Sequence, residues 1–118
     1  MGASLYLIDP VSKEVLEAEM PHQIKGSTYA VGGTTELTLA ITYNYSPIIG
    51  RVLPDGLRGL CGKTGAETIP LLKAAVEQLG TDVDDDYWKP TEGNARRALC
   101  GLLAFAQMRP DGVWKGSF

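Results

Sequence analysis

Three short runs in this chain carry residue types that could do chemistry. Gly62-Lys63-Thr64 has the ending of a phosphate loop, Gly-x-x-x-x-Gly-Lys-Ser/Thr, whose backbone amides cradle phosphate while the lysine neutralises it. The spacing fails by one, because the first glycine belongs at position 57, which is Leu57, with Gly56 beside it. The context fails too, since such a loop joins a parallel strand to a helix and the chain beyond it offers no further strands. An NTPase is excluded, but a looser anion site remains, formed by Arg58, Lys63 and the amides that precede the next helix. Asp82-x-Asp84-x-Asp86 opens like a calcium loop, yet position 6 is Tyr87 instead of glycine and position 12 is Gly93 instead of glutamate, so an EF-hand is excluded and no metal is expected. His22 is the sole histidine, which rules out a paired-histidine metal site. It follows Met20-Pro21 at a turn, where a locally hydrogen-bonded side chain is the ordinary outcome. Gly-x-Ser-x-Gly and Gly-x-Gly-x-x-Gly are both absent.

Two polar clusters remain. Thr42-Tyr43-Asn44-Tyr45-Ser46-Pro47 stands where strand gives way to helix, and gathers hydroxyls, an amide, two aromatic faces and helix-start N–H groups, a set suited to a polar ligand bearing a ring. The alternative is structural, with the tyrosines in the core and Asn44 and Ser46 serving turn and cap. Trp88-Lys89-Pro90-Thr91-Glu92-Gly93-Asn94 is the second cluster, readable as a ligand or partner surface, or as a tryptophan plug before a capped helix. The candidate binding residues are therefore Thr42, Tyr43, Asn44, Tyr45, Ser46, Arg51, Arg58, Lys63, Trp88 and Asn94. They are expected to converge between the switch at 44–47, the basic stretch 51–63 and Asn94.

The elements that must position them follow from periodicity. Residues 4–8 and 14–20 read as strands around the turn formers Asp9-Pro10 and Ser12, a hairpin. Residues 27–31 form a short β-rich run, Gly32-Gly33 supplies a turn, and residues 34–45 alternate with Leu37, Leu39, Ile41, Tyr43 and Tyr45 on one face. Ser46 reads as an N-cap and Pro47 as a first helical residue, so a short helix should run to about Leu53. A stripe of Leu72, Ala75, Val76 and Leu79 predicts a helix beginning near Glu67 or Thr68, with Pro70 in its first turn and Gly80 ending it. Thr91 caps a last helix from about Glu92 to Met108, and residues 113–118 read as a tail. The expected fold is a single α+β domain over 1–118, in which an antiparallel sheet of about four strands from the N-terminal half is covered on one face by about three helices from the C-terminal half.

The chain has 118 residues, 44% apolar and 21% charged, the balance of an ordinary folded domain rather than a disordered segment. The net charge of −3 is unevenly distributed, with basic blocks at 47–65 and 94–118 bracketing an acidic block at 66–93. This disfavours general nucleic-acid binding, which wants a continuous basic face, but leaves room for a local basic pocket. Cys61 and Cys100 show no Cys-x-x-Cys spacing and read as reduced, buried thiols. The longest near-continuous apolar run, 98–106, falls far short of the ~20 residues needed to span a bilayer. No secretory signal is apparent, so no membrane association and a cytoplasmic location are expected.

Four segments, Ile41-Thr42-Tyr43-Asn44-Tyr45-Ser46-Pro47, Gly65-Ala66-Glu67-Thr68-Ile69-Pro70-Leu71-Leu72, Pro90-Thr91-Glu92-Gly93-Asn94 and Arg109-Pro110-Asp111-Gly112-Val113-Trp114, resemble a broad group of small proteins borne by phages and prophages. The resemblance spans roughly residues 29–114. It implies a mobile-element cargo protein, some of which sequester host immune signals or block host defence proteins, and it carries over no catalytic residue. The leading expectation is a non-enzymatic, cofactor-free binding module for a small polar or anionic, nucleotide-like ligand. The second is a protein-interaction module, a homodimer or partner inhibitor, using the 99–108 helix with Trp88 and Trp114. The third is a hydrolase or transferase with an Asp or Glu base, although no carboxylate pair is placed for it.

Overall fold

The computed structural model describes residues 2–27 and 31–118, so most of the β-rich run expected at 27–31 lies outside the described residues. The first described strand, β1 (Gly2–Ile8), alternates as its sequence requires, turning Ala3, Leu5 and Leu7 into the core and Ser4 and Tyr6 outward. It is the centre of a three-stranded antiparallel sheet, flanked by β4 (Thr38–Thr42) and β5 (Val113–Ser117). Leu5 faces Leu39 on one side, and Leu7 faces Trp114 on the other. β2 (Glu17–His22) and β3 (Thr34–Glu36) form a separate two-stranded antiparallel sheet.

Main-chain bonds from Leu7 to Leu37, Leu16 to Leu7 and Leu37 to Leu16 join the two sheets where three buried leucines meet. The α+β class is as expected, with three differences in the strands. Residues 113–118 are no tail, because their alternation of Val113, Trp114, Lys115 and Gly116 completes the sheet as β5. The long strand expected at 34–45 breaks at Leu37 and ends at Thr42, and residues 43–45 form a 3₁₀ turn. The first hairpin pairs only over a short stretch around its turn, Leu7 to Leu16, Ile8 to Val15 and Asp9 to Glu14, since β1 takes its strand partners from β4 and β5.

Three helices follow: α1 (Ser46–Val52), α2 (Gly65–Gln78) and α3 (Glu92–Met108). Ser46 is not the N-cap of α1 but its first residue, and Thr42 instead caps the preceding 3₁₀ turn by accepting the Asn44 N–H. Thr64 and Glu67 form a capping box that starts α2 at Gly65, less than one turn before the start near Glu67 or Thr68 that the Pro70 argument suggests, so Pro70 falls in the second turn. Thr91 caps α3 as expected. α2 and α3 pack on each other, and α3 lies so close over β4 that a Cβ on Gly101 would stand 2.9 Å from Ile24 and 3.1 Å from Leu39.

Trp114 is 0% exposed, and its indole N–H donates to the Thr68 hydroxyl at 2.8 Å, which in turn donates to the Gly65 carbonyl at 2.9 Å. Leu99, Leu102, Phe105 and Ala106 are buried with it, so neither Trp114 nor this face of α3 is an interaction surface. No helix among the described residues is long and apolar enough to cross a membrane.

Replacing Thr68 by the isosteric valine leaves a fully buried indole N–H without an acceptor, which costs about 1–3 kcal/mol. Thr68→Val should lower the urea midpoint correspondingly, and an unchanged midpoint would contradict the role given to this bond.

Candidate functional site

The region around the strand-to-helix switch is organised by the connector between α2 and α3. Three of its four aspartates are engaged with main-chain N–H groups: Asp82 accepts from Gly93, Asp84 from Asp86, and Asp86 from Trp88. The Asp84 carboxyl is held below the usual carboxylate range by the Asp86 N–H and then by Lys89, whose ammonium lies 3.3 Å away. The calcium-like spacing therefore belongs to two successive Asx turns at Asp84 and Asp86, with Asp82 tied to the start of α3. Glycine is required at 93 because a Cβ there would come within 2.5 Å of the Asp82 and Val83 backbone.

Two asparagines fasten this connector. Asn94, buried at the start of α3, donates from Nδ2 to the carbonyls of Asp86 and Lys89 and accepts the Asp84 N–H, each at 3.0 Å. Asn44 donates to the Trp88 carbonyl at 2.8 Å. Tyr87 points inward, where its hydroxyl accepts the Thr42 N–H at 3.0 Å and donates to the Ala40 carbonyl at 3.4 Å, with the Ser27 hydroxyl 3.3 Å away. Tyr45 is 0% exposed, packs edge-on to Tyr87 with ring centroids 5.5 Å apart, and donates its hydroxyl proton to the Tyr87 carbonyl. Burial, reinforced by Tyr87, pushes the Tyr45 phenol from its ordinary 10.0 up to about 12.

Between the connector, α3 and residues 25–26 lies a pocket of about 230 Å³ walled by Tyr45, Tyr87, Asn94 and Ala98, with Lys25, Asp84, Asp85 and Arg97 also lining it. Sequence reasoning placed Tyr45 and Asn94 here but missed Lys25, Tyr87, Asp85 and Arg97. Arg97 was accessible in principle, because three residues after Asn94 on a helix is the same face.

The other candidates do not join them. A 3₁₀ turn rotates about 120° per residue, so Tyr43 and Tyr45 diverge where a strand would have kept them together. Tyr43, 38% exposed, lines a second hollow of about 200 Å³ with Ser46, Arg58 and Phe118, and the Arg58 guanidinium stands 4.5 Å over the Phe118 ring. Arg51 reaches Glu92 at 3.8 Å on the surface, and Lys63 donates to the Gly59 carbonyl at 2.6 Å. Trp88 is 47% exposed and stands edge-on to Tyr87. The expected convergence of switch, basic stretch and Asn94 is therefore two separate hollows.

The looser anion site is also closed, because the amides that would cradle an anion have partners. Gly62, Lys63 and Gly65 donate to the carbonyls of Trp114, Leu60 and Gly112, while Thr64 donates to Glu67 Oε1 and Glu67 to Thr64 Oγ1. His22 has both ring nitrogens engaged, Nε2 with the Glu36 carbonyl at 2.7 Å and Nδ1 with the Ile24 N–H at 3.2 Å, so neither is available as a general base. Cys61 and Cys100 are free, half-buried thiols, and burial pushes Cys61 up, away from the thiolate a nucleophile needs.

Comparison of the chain with protein-family models, with curated protein sequences and with solved structures finds no match in any of the three.

Removing the Tyr87 hydroxyl leaves the buried Thr42 N–H unsatisfied, so Tyr87→Phe should lose about 1–3 kcal/mol in denaturant unfolding and speed exchange of the Thr42 amide. Unchanged stability and exchange would contradict the contact. The raised Tyr45 phenol means the folded state holds its proton more tightly than the unfolded chain. Its contribution is complete below pH 10.0 and is lost as the pH rises toward about 12. Phenolate absorbance should show one tyrosine titrating late, and Tyr45→Phe should remove that component.

Proposed function

We propose that the protein is a non-enzymatic binding module that takes a small ring-bearing anion in the pocket between the connector and α3. The observation that carries this reading is the pairing of the half-buried Tyr87, backed by the buried Tyr45, with Arg97 in one hollow, where Arg97 makes no hydrogen bond or ion pair among the described residues. An aromatic wall takes a ring, and an available guanidinium at its edge takes an anion.

Size narrows the mode of binding. Ligand pockets usually measure roughly 300–1,000 Å³. The pocket, at about 230 Å³, holds a single ring and not a whole nucleotide. The rest of such a ligand passes between Lys25 and Arg97, because both residues also line a neighbouring hollow of about 500 Å³ bounded by Gln23, Ile24, Cys100 and Ala104. A nucleotide-like ligand, with its ring in the first hollow and its phosphate at the shared cations, suits this arrangement.

Binding without chemistry is favoured because the nucleophile and base candidates, Cys61 and His22, are respectively shifted toward the neutral thiol and fully hydrogen-bonded. The resemblance to phage-borne proteins supplies a setting, in which the module works in a host cytoplasm and withdraws its ligand from a host process.

The test is native mass spectrometry of the purified protein, together with thermal shift against nucleobases, nucleoside monophosphates and aromatic carboxylates. A ligand present at a hundred times its Kd should stabilise by about 2.7 kcal/mol. Arg97→Ala should cut the shift given by the anionic ligands down to that of the uncharged nucleobases, and Arg58→Ala should leave it intact. A flat response to the whole panel, or equal loss in both variants, would contradict the reading.

A further inference from the structure

We infer that this pocket selects a dipolar ligand, one whose ring carries N–H donors for Asp85 and whose anionic group goes to Arg97. The inference rests on the binding reading above and adds which groups read the ligand.

Asp85 differs from the rest of its acidic run. Asp82, Asp84 and Asp86 each accept a main-chain N–H, and Asp84 also meets Lys89. Asp85 makes no hydrogen bond or ion pair among the described residues, and it lines the cavity. Arg97 lines the same cavity from α3, also without a hydrogen bond or ion pair among the described residues.

Two opposite charges therefore face one aromatic-walled hollow from two different elements without joining each other. The other polar groups in the walls are occupied: the Tyr45 and Tyr87 hydroxyls and both polar atoms of the Asn94 amide have partners within the chain. Recognition of a polar ligand falls to the charged residues. A ligand bearing only negative charge meets Asp84 and Asp85, and one bearing only positive charge meets Lys25 and Arg97. A ring with exocyclic amino N–H groups and an attached anion satisfies both walls, with the N–H groups donating to the carboxylate and the anion accepting from the guanidinium. An aminopurine nucleoside monophosphate has this layout, whereas its oxopurine counterpart puts a carbonyl where the exocyclic amino group stands and keeps only the ring N–H beside it as a donor.

Titration calorimetry with four probes tests the inference: an aminopurine nucleoside monophosphate, the matching oxopurine nucleotide, the aminopurine nucleoside without phosphate, and inorganic phosphate. The wild type should prefer the amino over the oxo nucleotide by roughly tenfold to a hundredfold, the worth of a hydrogen bond to a charged acceptor. Asp85→Asn should erase that preference while the nucleotides still bind. Arg97→Gln should erase the advantage of the nucleotide over the nucleoside and keep the preference for the amino ring. Asp85 is exposed, so its variant should melt with the wild type. Equal binding of both nucleotides, or an amino preference that survives Asp85→Asn, overturns the dipolar inference and leaves the binding reading standing. Failure of every probe, or binding of phosphate as tightly as the nucleotide, overturns both.

Discussion

The arrangement depends on one phenol set into the edge of a sheet. β4 is an outer strand, and its Ala40 carbonyl and Thr42 N–H point away from β1, where an uncovered strand edge invites pairing with another chain. The Ser27 N–H donates to the Ala40 carbonyl at 2.8 Å, and the Tyr87 hydroxyl beside it accepts the Thr42 N–H at 3.0 Å, so that a side chain completes the cover of the strand edge. To reach this place Tyr87 draws the connector down against the sheet. The Tyr45 phenol, Asn44 and Asn94 then bind the carbonyls of residues 86–89 and keep it there.

The consequence is a division of polar groups by availability. At the switch, Thr42, Asn44 and Tyr45 spend their polar atoms on the chain itself, while charged residues lining the pocket come from elsewhere, Asp85 on the connector and Arg97 on α3. The same division closes the phosphate-like loop, whose amides are taken by the carbonyls of Leu60, Gly112 and Trp114 and by the capping box of α2. A short polar motif thus says less about binding than the question of which of its donors and acceptors lack a partner.

Much of the frame was readable from periodicity and caps. The inward set of β1 and β4, the Thr91 cap and the length of α3 follow from alternation, capping chemistry and the apolar stripe. The strand order was not readable, because β5 reaches β1 across more than a hundred residues and its five residues carry no turn signal linking them to the N-terminus. The break at Leu37 was hidden for a similar reason, since Leu37 keeps the inward alternation while its main-chain bonds go to Leu7 and Leu16. Of the candidate binding residues, Tyr45 and Asn94 line one hollow and Tyr43, Ser46 and Arg58 another, a separation hidden in the sequence because a 3₁₀ turn and a strand give the same signal over three residues. Asp85 passed unnoticed within an acidic run that looked uniform, and only the bonds made by its neighbours single it out.

The central claim is that ligand enters the hollow behind the connector and not the one beside Phe118. Amide and side-chain NMR shifts during titration with an aminopurine nucleoside monophosphate test it most directly. The account predicts perturbations at Tyr45, Tyr87, Asp85 and Arg97, with Tyr43, Arg58 and Phe118 unmoved. Perturbations centred on Tyr43, Arg58 and Phe118, or none at saturating ligand, would contradict it.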